Sequence, residues 1–112
     1  MSDVNVVTLS GRVVRTPEVR SAPSGNQVAD LYLANNLYNR NGEQNTTFVR
    51  CTIWGKSAEF TGTLNKGDHV FVTGQLASDD YETTKGDPSS MTKGRMKVTN
   101  CKITLLGRKK EE

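Results

Sequence analysis

The chain has 112 residues, 34% of them hydrophobic and 24% charged, with a formal net charge of +3. That length suits one small domain with a modest core, and the charge suits a polyanionic partner as well as plain solubility. No stretch approaches the ~20 consecutive apolar residues of a membrane-spanning helix, and the opening residues lack the basic and then apolar regions of a signal peptide.

Period-two alternation dominates from the start. Asn5 to Arg15 reads as a first strand, with Val7, Leu9 and Val13 on one face and Gly11 in register. Glycine inside such a run marks a bulge or a sharp coil, which small barrels need in order to close. Thr16-Pro17-Glu18 breaks the pattern, and Ala22 to Asn26 is a turn. Val28 to Tyr38 is the second strand. It places Ala29, Leu31, Leu33 and Leu37 on one face, and Tyr32, Ala34, Asn36 and Tyr38 on the other. A polar loop around Asn41-Gly42 leads into a third strand, Thr46 to Trp54. Its core face holds Thr47, Val49, Cys51 and Ile53, and its opposite face holds Phe48, Arg50, Thr52 and Trp54.

Ser57 to Leu64 is the one helical segment, with Ala58, Phe60 or Thr61, and Leu64 as its apolar stripe and Gly62 as its weak point. His69 to Leu76 is the fourth strand. Ala77 to Gly94 reads as a long exposed loop or flexible hairpin. Arg95 to Leu106 is the last strand, and its apolar parity flips near Thr99-Asn100, which predicts a bulge there. The two cysteines, Cys51 and Cys101, sit in apolar runs and read as buried thiols of a reducing compartment. The pattern as a whole predicts an all-β fold. This is a five-stranded OB-type Greek-key barrel with one short helix between strands three and four. It occupies residues 1–107, with 108–112 as a short disordered tail.

The third strand carries the functional signal. Its core face is complete without Phe48, Arg50 and Trp54, so those side chains point outward, and exposed aromatics in a row mark an interaction surface. Tyr32 and Tyr38 lie on the matching face of the second strand. Aromatic rings interleaved with Arg suit unpaired bases, because each base stacks on a ring while the guanidinium meets the phosphate between them. The same pattern would also serve a protein–protein interface or packing against the helix. Basic residues favour the nucleic acid. Lys93, Arg95, Lys97, Lys102, Arg108, Lys109 and Lys110 follow one another without an intervening acid, and Arg12, Arg15, Arg20, Lys56 and Lys66 add to them. Catalytic and cofactor constellations are missing. The one histidine, His69, cannot complete a metal site with the cysteines, and Asp79-Asp80 reads as a solvated pair. The chain is expected to be a binding protein, with neither enzyme activity nor a cofactor.

Several segments together resemble the bacterial single-stranded-DNA-binding proteins. They are Val6 to Arg12, Pro17 to Arg20, Gly25 to Leu33, Phe48 to Glu59, Leu64 to Asp68 and Val72 to Leu76. Their order and spacing carry the resemblance over about residues 4 to 107. It implies an OB fold, usually assembled as a homotetramer with a dimer as the other option, that coats single-stranded DNA during replication, recombination and repair in a bacterial cytoplasm or an organelle of bacterial origin. It implies stacking roles for Trp54, Phe48, Tyr38 and Tyr81, and places Arg50, Lys56 and Lys66 near the DNA path. With Tyr32, Arg12, Arg20 and Lys97 these form the expected nucleic-acid-binding set. Two departures stand out. The family ends in a long linker and an acidic-hydrophobic tip that recruits replication and repair proteins, whereas this sequence stops at Lys109-Lys110-Glu111-Glu112. The segment Ser78-Asp79-Asp80 is acidic where the family tends to be basic, which implies lower affinity or a specialised role. The alternative is a primosomal or accessory OB-fold dimer that acts mainly through protein partners.

Overall fold

In the computed structural model, which describes residues 2–108, alternating side chains build six strands and one helix. They are β1 (Val7–Val13), β2 (Glu18–Ser21), β3 (Gln27–Tyr38), β4 (Gln44–Trp54), α1 (Lys56–Thr61), β5 (His69–Ser78) and β6 (Met96–Gly107). The sheet runs β1-β5-β6-β4-β3-β2, and an extra β1–β3 pairing, Arg12↔Ala34 and Val13↔Leu33, closes five of the strands into a barrel. A single parallel bridge, Cys51↔Val98, joins β4 to β6. The expected five-stranded barrel is therefore present, with α1 between its third and fourth strands.

Closure depends on β3. Eleven of its twelve residues pair with β4 along one edge, while the other edge is shared between β2 and β1. Where β1 crosses β3 the backbones nearly touch, and a Cβ on Gly11 would stand 2.8 Å from the Ala34 carbonyl oxygen. The inward faces of the barrel carry Leu31, Leu33, Cys51, Ile53, Val70 and Val72, all fully buried. Both cysteines are free and buried, as expected. The hydrogen bond that the Cys51 thiol donates to the Cys101 sulfur, reinforced by burial, pushes the Cys51 thiol far up and keeps it protonated.

Three sequence expectations need correction, and a fourth is narrowed. The stretch after Pro17 is not only a break: Glu18–Ser21 pairs antiparallel with Gln27–Asp30 as β2, outside the barrel. The helix is shorter than Ser57 to Leu64. It starts after Gly55, whose φ of 75° suits glycine, and ends at Gly62. Ala58 and Thr61 form its buried side, while Phe60 remains exposed and Leu64 packs into the core from beyond the helix. The segment after Leu76 is a hairpin, the second of the two readings, rather than an open loop. β5 continues to Ser78, a Glu82↔Met91 bridge follows, and a 3₁₀ turn covers Pro88–Ser90. Arg108, expected to begin the tail, donates to Asp68 Oδ2 at 3.1 Å. The rest of that tail, residues 109–112, lies outside the described residues.

The β6 bulge falls where the parity flip put it. Thr73 faces Lys102 while Gln75 faces Thr99, so β6 holds one extra residue, and Asn100 adopts a φ of 53°. Gly74 lies opposite this bulge. A Cβ there would meet the Thr99 carbonyl oxygen at 2.6 Å and Val98 Cγ1 at 2.7 Å. Gly74→Ala should therefore cost about 1–3 kcal/mol of stability by overpacking, read as a lower melting temperature. Gly107→Ala, where nothing lies within 4 Å of the added carbon, should change stability by no more than about 0.5–1 kcal/mol.

Candidate nucleic-acid interface

The outer faces of β3 and β4 are built row by row from their register. Tyr38 faces Gln44, Ala34 faces Phe48, Tyr32 faces Arg50, Asp30 faces Thr52, and Val28 faces Trp54. Directly paired residues share a face of the sheet, so all these side chains stand on one surface. The small Ala34 leaves the ring of Phe48 uncovered, at 71% exposure. Tyr38 stands on the projecting end of the β3–β4 hairpin at 70% exposure, and Trp54 ends β4 at 44%. Arg12 pairs with Ala34 across the barrel seam, which puts β1 in the Phe48 row. Its guanidinium donates to the Gly67 carbonyl at 3.0 Å, beside the exposed Lys66. Lys56 follows Trp54 at the start of α1 and is exposed.

A groove of about 270 Å³ runs between this surface and the hairpin arm formed by the ends of β5 and β6. The sheet side contributes Tyr32, Phe48, Val49 and Arg50, and the arm contributes Asp79, Arg95 and Met96. The arm is held in place by its own polar contacts. Asp79 N–H donates to the Arg95 carbonyl at 2.8 Å, and Asp80 Oδ1 accepts from Arg95 N–H at 2.9 Å and Thr92 Oγ1 at 3.0 Å. The Arg95 and Thr92 bonds hold the Asp80 carboxyl below its ordinary value. Tyr81, further along the arm, carries the Arg95 guanidinium 5.1 Å from its ring centre. Lys97 is half-buried on β6.

The cations on this surface are not all free. Arg50 donates through Nη1 to Asp79 Oδ1 at 2.8 Å and through Nη2 to Asp30 Oδ1 at 3.3 Å. Arg20, from β2, is hydrogen-bonded to the other oxygen of Asp30. The Arg15 guanidinium lies 4.1 Å from the Tyr32 ring centre and covers one face of that ring. Burial alone would raise the Asp30 pKa. The Arg20 hydrogen bond and the Arg50 charge outweigh it, so the carboxyl stays below its ordinary 3.8. Burial likewise opposes the charge on Arg50, and the Asp30 and Asp79 carboxylates overcome it, which raises the pKa.

The fold thus brings Tyr32, Phe48, Arg50 and Arg12 together, with Tyr38 and Trp54 at the two ends and Tyr81 across the groove. Arg20 joins them through Asp30. Lys66 stands beside the Arg12 side, and Lys56 beside Trp54. Sequence reasoning missed Asp30, Asp79 and Met96 as members of this surface, and it counted Arg15 and Arg95 among the basic residues without their contacts to the Tyr32 and Tyr81 rings. Asp30 was legible in principle, because it shares the parity of Tyr32 on β3.

A family profile described as "Single-strand binding protein family" matches residues 4–104. The single-stranded DNA-binding protein of Thermus thermophilus is 38% identical over 90 residues, covering 80% of this chain and 34% of its own length. That of Halalkalibacterium halodurans is 37% identical over 86 residues, covering 74% of this chain and 51% of its own. The chain thus spans about a third to a half of these relatives. The crystal structure of the Thermus aquaticus single-stranded DNA binding protein superposes with a TM-score of 0.69 at 27% identity, covering 97% of this chain and 43% of that one.

Asp30 is the hub of the surface, and its removal is testable. Asp30→Asn should lower stability at neutral pH by about 1.5–3 kcal/mol, the range for a charge-assisted hydrogen bond left half-made. Because the folded-state pKa lies below 3.8, the Asp30 contribution is complete above that pH and is lost as pH falls through the folded value. Melting curves for the two proteins should therefore differ at pH 7 and converge in acid.

Proposed function

The chain belongs to the single-strand binding protein family, and on that premise we propose that it binds single-stranded DNA along the outer face of β3 and β4, largely without regard to sequence. The observation that carries this reading is the exposure of Phe48 and Trp54 on one face of β4, with Tyr38 on the same face of β3. Bare rings on a sheet offer a stacking platform to unpaired bases, and every base has a π-face, so little sequence preference results. Duplex bases are already stacked on one another and cannot use such rings.

Phosphates need cations between and beside the rings. Arg12 and Arg50 stand within the aromatic rows, Lys56 follows Trp54, and Lys66 and Lys97 extend the basic surface. The groove against the β5–β6 arm, floored by Tyr32 and Arg50, gives the strand a path past Tyr81. The protein acts by holding the strand, as protection during replication, recombination and repair in the cytoplasm. It does so as a homotetramer or a dimer. Apolar surface for self-association is available at Val4, Val6 and Phe71, which are 93%, 68% and 36% exposed.

Phe48 gives the cleanest test, because its ring is the barest on the sheet. Phe48→Ala should weaken binding of oligo-dT by about 1–3 kcal/mol, one lost base–ring stack. Its melting temperature should stay close to that of the parent, since no core cavity is created. Unchanged dT affinity in a folded variant would contradict the reading.

A further inference from the structure

Arg50 reaches both walls of the groove. Its partner Asp30 stands on the same sheet, buried, and is shared with Arg20. Its other partner, Asp79, is 29 positions further along the chain and approaches from the opposite wall, with a side chain only 14% exposed. The Asp79 backbone is fixed independently by its bond to the Arg95 carbonyl, which keeps the residue beside Arg50 whether or not its carboxylate is paired. A phosphate arriving at Arg50 would find both terminal nitrogens engaged by carboxylate oxygens, whose forked geometry is close to that of phosphate oxygens. Arg50 Nε, by contrast, is buried and has no hydrogen-bond partner among the described residues. The guanidinium therefore keeps donor capacity that these two carboxylates do not use.

We propose that Asp79 is an intramolecular competitor for the DNA phosphate at Arg50, so that strand entry exchanges the Arg50–Asp79 ion pair for an Arg50–phosphate pair. This rests on the single-strand-binding reading above and adds a residue that sets affinity downward. Asp30 has a different role: it holds Arg50 and Arg20 to the sheet and is not displaced. The exchange makes Arg50 a cation whose contribution to binding is reduced by the pair it must first give up. Removing Asp79 lifts that reduction, while Asp30 stays paired with Arg50.

The test is titration of fluorescently labelled oligo-dT over a salt series with the parent, Asp79→Asn, Asp79→Ser, Arg50→Gln and the Arg50→Gln/Asp79→Asn double variant. Both Asp79 variants should bind dT about threefold to tenfold more tightly at low salt, the scale of a partly buried ion pair. The slope of log affinity against log salt should stay close to that of the parent, because Arg50 meets the same phosphate in both and no further phosphate is neutralised. In the Arg50→Gln background the gain should vanish. Unchanged or weaker binding in both Asp79 variants would overturn the proposal. So would an equal gain without Arg50, which would make Asp79 only a diffuse negative charge. A parent protein that fails to bind dT would overturn the reading of function itself, whereas a parent that binds while its Asp79 variants gain nothing overturns the competition alone.

Discussion

A barrel of five strands is narrow, and its interior accepts one layer of aliphatic side chains and little more. Every buried hydrophobic residue described here is Val, Ala, Leu, Ile or Cys. The seven aromatic residues of the chain are therefore all placed outside. Strand alternation then decides where each one stands. Once Val49, Cys51 and Ile53 fill the interior from β4, Phe48 and Trp54 must project from its other side. The same parity on β3 sends Tyr32 and Tyr38 to that surface. The aromatic face is thus a consequence of barrel size and period, and the β5–β6 arm adds the second wall of the groove.

The chain must nevertheless be closed tightly for this geometry to hold. Gly11 at the β1–β3 seam and Gly74 opposite the β6 bulge each sit where a Cβ would collide with a backbone carbonyl. These contacts pull β1 across β3 and draw β5 against β6. As a result Arg12 lies in the row of Phe48, and the β5–β6 arm faces Arg50 across the groove. The carboxylates Asp30 and Asp79 temper the positive charge of that groove. Counting the basic residues of the sequence therefore overstates how many cations the surface offers freely.

Much of this was legible in the sequence, and the omissions have physical causes. The alternating runs located the five barrel strands, and the parity flip near Asn100 located the bulge, because burial on one face imposes a strict period of two. β2 escaped notice because all four of its residues are exposed; it is held by backbone pairing with β3, which leaves no apolar pattern. The helix looked longer because Leu64 is buried, yet it is buried from the turn that follows α1. The candidate rings were legible for the same reason as the strands. The ion pairs were not, since Asp79 reaches Arg50 only through the register of β5 with β6, a contact between residues far apart in the chain.

The central claim is that the outer face of β4 meets unpaired bases, and Trp54 reports on it directly because it is the only tryptophan. Its indole is half-exposed at the end of that strand, where a stacked base would quench its emission. The account expects strong, saturable quenching on addition of oligo-dT and little change with a random duplex of equal length. Emission that stays constant while dT is bound, or that responds equally to the duplex, would contradict it.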